Sequence, residues 1–257
     1  EKSFYKYNIS TILISSKNIS SQIKENILSK LSEHSIRVKI IPEIGKIIEN
    51  KITINDFESI SILDLLKREQ TPPKKSLMSK NIHNKSVLIT GAGGSIGSEV
   101  CRQILKYRPK ILLLLDISEI NLFNINNELK ELSVNENLDI KIIEVLGSIN
   151  NRTLIDKKIK KYKIQTIFHA AAYKHVYLLE LNPFEAVINN IFGTKTLAEV
   201  AEDNFVETFV VISSDKAVRP TSIMGATKRF AEIICLNRDI KKCKTRFTAV
   251  RFGNVFG

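Results

Sequence analysis

Two short stretches hold the residue types that proton chemistry needs. Ser213-Ser214-Asp215-Lys216 sets hydroxyls, a carboxylate and an amine side by side, and Met224-Gly225-Ala226-Thr227-Lys228 follows at helical spacing. Residues four apart share a helix face, so Met224 and Lys228 point the same way. A thioether cannot ionise, which excludes Met224 as a base. The titratable pair Asp215 and Lys216 must then carry any acid–base work. Alone, such a pair at a loop is an ordinary solvated ion pair; at the carboxyl edge of a nucleotide-binding sheet it becomes a site.

The elements that would position this pair can be read upstream. Ser86-Val87-Leu88-Ile89-Thr90 is a short apolar strand, followed at once by Gly91-Ala92-Gly93-Gly94-Ser95-Ile96-Gly97. Glycines 91, 94 and 97 permit a tight turn, let backbone N–H groups approach a pyrophosphate and allow close helix packing, while the helix N-terminus at Ser95 and Ile96 favours negative charge. The helix carries Ile96, Val100, Ile104 and Leu105 as one apolar stripe. A second strand, Ile111-Leu112-Leu113-Leu114-Leu115, ends in Asp116, 19 residues after Gly97. A carboxylate there accepts hydrogen bonds from the adenosine ribose and repels a 2′-phosphate, which predicts NAD rather than NADP.

Thr166-Ile167-Phe168-His169 is a further strand running into Ala170-Ala171-Ala172, small residues that leave room for a nucleotide. His169 itself reads as a satisfied strand-end histidine rather than a ligand. Asn182 and Pro183 start a helix that turns Val187, Ile191, Leu197 and Ala198 inward. Phe209–Ile212 delivers Ser213 to Lys216 to the same sheet edge, and Phe247–Phe252 is a last strand. Regular alternation from residue 84 predicts a doubly wound parallel sheet of Rossmann type. In front, residues 10–14 and 38–42 read as strands flanking an amphipathic stretch with Ile23, Ile27 and Leu31, the remnant of a smaller α/β domain over 1–68. An apolar segment at 60–66 precedes a linker over 69–83, where Pro72 and Pro73 stand, and the catalytic domain spans 84–257.

The 257 residues are 43% hydrophobic and 26% charged, the composition of a soluble globular protein. No run reaches the roughly 18–20 apolar residues that cross a bilayer. The net charge of +12 is spread over lysines without a compact basic and aromatic patch, which argues against a nucleic-acid partner. Cys101, Cys235 and Cys243 and four scattered histidines lack metal-ligand spacing, so no metal is expected, and the odd cysteine count predicts reduced thiols. The chain begins with Glu1 rather than Met and reads as a piece of something longer.

These residues resemble the extended short-chain dehydrogenase/reductase superfamily and, within it, the bacterial polysaccharide-biosynthesis nucleotide-sugar dehydratases of the CapD type, nearest to membrane-anchored UDP-N-acetylglucosamine 4,6-dehydratases. The resemblance covers about residues 60–257 and rests on Thr-Gly-Ala-Gly-Gly-Ser-Ile-Gly-Ser-Glu at 90–99, Ala-Ala-Tyr-Lys-His-Val at 171–176, Ser-Asp-Lys-Ala-Val-Arg-Pro-Thr at 214–221, Met-Gly-Ala-Thr-Lys-Arg at 224–229 and Arg-Phe-Gly-Asn-Val at 251–255. Met224 stands where other dehydrogenases of the superfamily carry a tyrosine, a habit of this branch.

The resemblance implies NAD as cofactor, held by Gly91, Gly94, Ser95, Ile96, Gly97, Asp116, Ala170, Ala171, Asn190 and Lys228. It implies a UDP-sugar substrate, with Lys174 and Asn254 as contacts, and a catalytic group of Ser214, Asp215, Lys216, Met224 and Lys228. Lys216 is expected as the C5 base, with its pKa lowered by burial and cationic neighbours. Asp215 is expected as the acid for the C6 hydroxyl, its pKa raised by desolvation, with Ser214 on O4. A homo-oligomer is implied, as is attachment to the cytoplasmic face of the inner membrane through an N-terminal region absent here. This chain itself reads as soluble and cytoplasmic. Three departures stand out: Tyr177 in place of proline, Ser148 in place of an adenine-recognising aspartate, and a substrate lobe that would follow Gly257. Rival readings are a nucleotide-sugar 4-epimerase, which needs no C5 base, and a non-catalytic NAD-binding module.

Overall fold

A computed structural model describes residues 11–15, 37–41, 73–240 and 243–253. The chain divides into two compact units, Glu1–Pro72 with Asn254–Gly257, and Pro73–Gly253. In the first, β1 (Thr11–Ser15) and β2 (Arg37–Ile41) pair in parallel, Thr11 opposite Arg37 and Ser15 opposite Ile41. The amphipathic stretch with Ile23, Ile27 and Leu31, the segment at 60–66, and Asn254 lie outside the described residues.

The second unit is built on six strands, all parallel: β3 (Ser86–Thr90), β4 (Ile111–Asp116), β5 (Lys141–Leu146), β6 (Thr166–His169), β7 (Thr208–Ser214) and β8 (Arg246–Phe252). Their order is β5-β4-β3-β6-β7-β8, the doubly wound Rossmann-type arrangement. Strand side chains alternate between faces, and the core divides accordingly. Val87, Ile89, Leu112 and Leu114 pack on one side with Cys101, Ile104 and Leu129. Leu88, Leu113 and Leu115 pack on the other with Ile155, Leu197, Phe209 and Phe247. Both faces being covered, β3 and β4 are continuous apolar runs. β5, absent from the strands predicted above, lies at the sheet edge, and its Lys141 and Glu144 are exposed as edge strands require.

Helices α2 (Ser95–Leu105), α3 (Glu119–Asn135) and α4 (Arg152–Tyr162) follow the first three strands of this sheet. The buried face of α2 is Gly97, Cys101, Ile104 and Leu105: Ile104 and Leu105 are buried as predicted, but in the first turns the face lies one position on from the predicted stripe, with Ile96 and Val100 only half-buried. The glycine causes the rotation: the helix comes closest to the turn where there is no side chain.

Part of the predicted linker is helical. Lys75–Ile82 forms α1, whose Ile82 is 1% exposed within the core, while the Asn81 carbonyl accepts from Thr166 Oγ1 at 2.7 Å. A helix starts after Asn182 with Pro183 in its first turn, as predicted, but it runs as α6 (Pro183–Ala186), a π-helical turn (Val187–Phe192) and α7 (Gly193–Asp203), and a separate α5 (Val176–Leu181) precedes it. Asn182 does not cap with its side chain; its Nδ2 donates to the Leu178 carbonyl at 2.9 Å instead. Leu197 and Ala198 are buried as predicted, whereas Val187 and Ile191 in the wider π turn are half-buried. After β7 come one 3-10 turn (Asp215–Ala217) and α8 (Ile223–Ile240). Among the described residues, no helix is long and apolar enough to cross a membrane.

If α1 is part of the domain, Ile82→Ala should lower the unfolding free energy by about 2–4 kcal/mol in denaturant titrations. Leu77→Ala, at a site 60% exposed, should change it by less than about 0.5 kcal/mol.

Candidate functional site

The chain runs from β3 outward to β5 and then returns to add β6 on the other side of β3. The crevice between the carboxyl ends of β3 and β6 is therefore the topological switch point, where ligands bind in open parallel sheets. Thr90 and His169 are register partners there, and His169 pairs in turn with Val211 of β7. Gly91, Ala170 and the Ser213–Lys216 segment thus leave the sheet at one edge.

On the β3 side the turn is made backbone against backbone. Gly91 has φ +67°, and a Cβ there would lie 2.6 Å from the Ala171 nitrogen. A Cβ on Gly97 would lie 1.9 Å from the Gly91 carbonyl oxygen. α2 begins at Gly94 with no side-chain cap, so its first-turn N–H groups, including those of Ser95 and Ile96, face the crevice without a side-chain acceptor. A cradle with no room for side chains and a bare helix N-terminus fits a dinucleotide pyrophosphate. Asp116 is 8% exposed, and both its oxygens are engaged by the backbone: Oδ2 accepts from Gly93 N–H at 2.8 Å and Oδ1 from Ser118 N–H at 2.9 Å. The carboxylate predicted to read the ribose thus also braces the glycine turn.

On the β7 side the predicted catalytic residues separate into an outer and an inner group. Outside, Ser214 Oγ donates to Asp215 Oδ1 at 2.9 Å, and Lys216 contributes its amide at 2.8 Å and Nζ at 3.5 Å to the same oxygen. The Asp215 side chain is 51% exposed. Its carboxyl is held below the usual range by the Ser214 hydroxyl and, beyond that, by the Lys216 charge and amide. This corrects the expectation of a raised Asp215: the side chain faces water, and the hydrogen bonds it accepts favour the ionised form. Inside, Lys228 donates from Nζ to the Ile212 carbonyl at 2.6 Å, and burial lowers it to about 8.

Met224 is 5% exposed and packs with Leu179, Ala186 and Ile223. It is a packing residue in this fold rather than an open contact for substrate, because the start of α8 is pulled onto α5, where Glu180 Oε1 accepts from Ile223 N–H at 2.8 Å. Lys174 is exposed on the loop after β6, and Ala170 and Ala171 are half-buried against the turn. Asn190, predicted as a cofactor contact, is 1% exposed, with its amide turned onto the Tyr173 backbone.

Two features escaped the sequence reading. Gly225 lets α8 press on the 3-10 turn, since a Cβ would lie 2.3 Å from the Lys216 carbonyl oxygen. Glu232, fully buried, takes both 2.7 Å bonds of the Arg251 guanidinium and a third from Arg229 at 2.9 Å. Burial works to raise its carboxyl, but the bonds from Arg251 and Arg229 prevail and hold it at about 2. The spacing of Lys228, Arg229 and Glu232 was a usable signal for a charged helix face; the partner from β8 was not.

Residues 87–257 match the family described as polysaccharide biosynthesis protein. The chain is similar to the capsular polysaccharide biosynthesis protein CapD of Staphylococcus aureus, 38% identical over 98% of this chain and 42% of that protein. It is 34% identical to a UDP-glucose 4-epimerase of Rickettsia bellii over 67% of this chain and 49% of the relative. It is 28% identical to a UDP-N-acetylglucosamine 4,6-dehydratase (inverting) of Campylobacter jejuni over 68% and 50%. The chain therefore spans half or less of the length of these curated relatives.

Because Asp116 holds two backbone N–H groups, Asp116→Ala should lower stability by about 1–3 kcal/mol even without a dinucleotide, measured by denaturant unfolding. A second expectation concerns pH. The folded protein releases the Lys228 proton near 8 rather than 10.5, so between these values the unfolded chain binds more protons and stability from this group rises with pH. The stability difference between Lys228→Met and the native protein should therefore shift in favour of the native protein as pH is raised across that window.

Proposed function

The chain belongs to the polysaccharide biosynthesis protein family of extended short-chain dehydrogenases/reductases, and we propose that it catalyses the 4,6-dehydration of UDP-N-acetylglucosamine with NAD as cofactor. The observation that supports this reading is the shared sheet edge: a glycine turn without room for side chains and, two strands away, a carboxylate and an amine on adjacent residues. Gly91, Gly94, Ser95, Ile96 and Gly97 would hold the pyrophosphate and Asp116 the adenosine ribose. Bound there, NAD supplies reversible hydride acceptance, which makes the overall reaction redox-neutral.

The chain's own residues would handle protons and orientation. Ser214 hydrogen-bonds O4 of the sugar. Lys228, already inclined by burial to give up its proton, sits beside the strand end and favours loss of the O4 proton. Lys216 removes the C5 proton, which the adjacent ketone makes acidic, and Asp215 protonates the C6 hydroxyl so that it leaves as water. In the uncovered turn the two face each other as an ion pair, so their roles require the sugar to strip water from the pair, the Lys216 ammonium to pass its proton to the Asp215 carboxylate, and the Asp215 bond to Ser214 to break, after which Ser214 turns to O4. Met224 shapes the wall behind the turn by packing.

A 4-epimerase is the second reading, favoured by the rickettsial relative. In heavy water a dehydratase places deuterium at C5 of the product, an epimerase does not, and a non-catalytic module converts no sugar. In the whole protein, Lys216→Ala and Asp215→Asn should each lower turnover of UDP-N-acetylglucosamine by about 10²–10⁴ while NAD titrations stay near native. Met224→Ala should cost less than either. Equal loss in Met224→Ala with fold and NAD binding intact would reverse this division of labour.

A further inference from the structure

Behind the loop that follows β6 lies a chain of buried polar groups that the proton chemistry above does not use. His169 is 2% exposed; its Nδ1 is 2.7 Å from Thr90 Oγ1 and its Nε2 2.9 Å from Thr194 Oγ1. The Thr194 hydroxyl gives its one proton to the Asn190 carbonyl at 2.7 Å, so toward His169 it can only accept. The ring proton is therefore on Nε2, and Nδ1 accepts from Thr90. With that proton committed, the Thr90 oxygen can take the Ala171 N–H at 3.5 Å.

On the far side Asn190 continues the chain. Its Oδ1 accepts from Tyr173 N–H at 2.8 Å, and its Nδ2 donates to the Tyr173 carbonyl at 3.0 Å and to Thr227 Oγ1 at 3.1 Å. Thr227 donates in turn to the Met224 carbonyl at 2.8 Å. Donors and acceptors match from Ala171 to the first turn of α8. Burial, seconded by the Lys228 charge, lowers His169 to about 3, so the ring is neutral across the working pH range.

A buried polar chain is a costly way to fill space that leucine or phenylalanine could occupy. Both ends of this one touch the site. The Ala171 backbone stands where a side chain on Gly91 would have to go, so it lies directly against the glycine turn. We propose that His169 is a positioning residue: bridging Thr90 to Thr194 and Asn190, it fixes the Ala170–Tyr173 backbone across the glycine turn and in register with α8. The functional half of this proposal rests on the reading of the crevice as a dinucleotide site; the positional half does not.

The test replaces the polar chain by apolar groups of similar shape in the whole protein, as His169→Phe with Thr90→Val and Thr194→Val. A ring at 169 retains the edge contact with Phe209, now 6.0 Å between centroids. Removing both partners of the two ring bonds together should leave the melting temperature within about 5 °C of native. Amide exchange of the 170–175 segment, measured without cofactor, should nevertheless accelerate about tenfold or more. NAD should bind about tenfold more weakly, while His169→Gln, whose amide can still donate to Thr194, should stay within about threefold. Native protection of 170–175 together with native NAD affinity in the triple variant would reduce His169 to core filling and overturn the proposal. Should the triple variant not fold, Thr194→Val alone, read by the same two measurements, decides. If the native protein binds no NAD, the cofactor reading fails, and exchange at 170–175 alone decides the positioning role.

Discussion

The constraint on which the site depends is an absence of atoms. At the junction of β3 and α2 three backbone segments meet: the Gly91 turn, the first turn of α2 at Gly97, and the loop after β6 at Ala171. Each approaches its neighbour more closely than a Cβ would allow. This contact directs the uncapped end of α2 at the crevice. It also explains why the inward face of that helix begins at a glycine and why Asp116 spends both oxygens on the backbone of the adjoining turns. Geometry that is fixed by main chain alone changes little when side chains move, which is what a charged ligand made of rigid phosphates requires.

Around this junction the charges are graded by depth. Deepest is Glu232, tied to Arg251 across from β8 and to Arg229 on its own helix. A buried carboxylate is tolerable only when its lone pairs are filled, and here the pairing fastens the last strand to α8. One helical turn earlier Lys228 is bonded to a strand carbonyl and pulled down by burial. Outermost is the Asp215–Lys216 pair, in water. The same sheet edge thus offers an amine close to neutrality and a carboxylate that is still hydrated, two groups whose proton affinities respond in opposite ways to the arrival of a ligand.

The parallel sheet and the glycine turn were legible because both rest on short-range rules: apolar runs of strand length, glycine at fixed offsets, an acid at the end of the next strand. His169 was also readable, as a satisfied histidine, though not its partners. What could not be read depends on contacts between residues distant in sequence. Nothing near Lys75–Ile82 marks it as part of the core, since Ile82 joins a cluster assembled from β3, β4, α2 and α3, and the Asn81 carbonyl is bonded by Thr166 of β6. Lys141–Leu146 has the charge pattern of an edge strand, and edges are defined only once the order of strands is known. Asn190 was singled out as a cofactor contact, and the π-helical turn that carries it directs its amide to Tyr173 and Thr227, partners distant in sequence. Met224 was placed on the correct helix face, and that face meets α5.

The strand order has a temporal side. During synthesis from the N-terminus, β3, β4 and β5 can assemble once β5 has emerged, before β6 is available, because each pairs with the one before it. The opposite wall of the crevice waits for β6, whose pairing with β3 spans about eighty residues, and the proton-bearing turn waits for β7 after that. A nascent chain therefore carries the glycine turn on a half-built sheet, still without the Ala171 backbone that packs against it, and with the flank of β3 open to any strand that reaches it first. The wrong partner there would be a strand of another chain emerging nearby, so the interval between residues 90 and 169 is the time during which this domain is most dependent on being kept apart from its own copies.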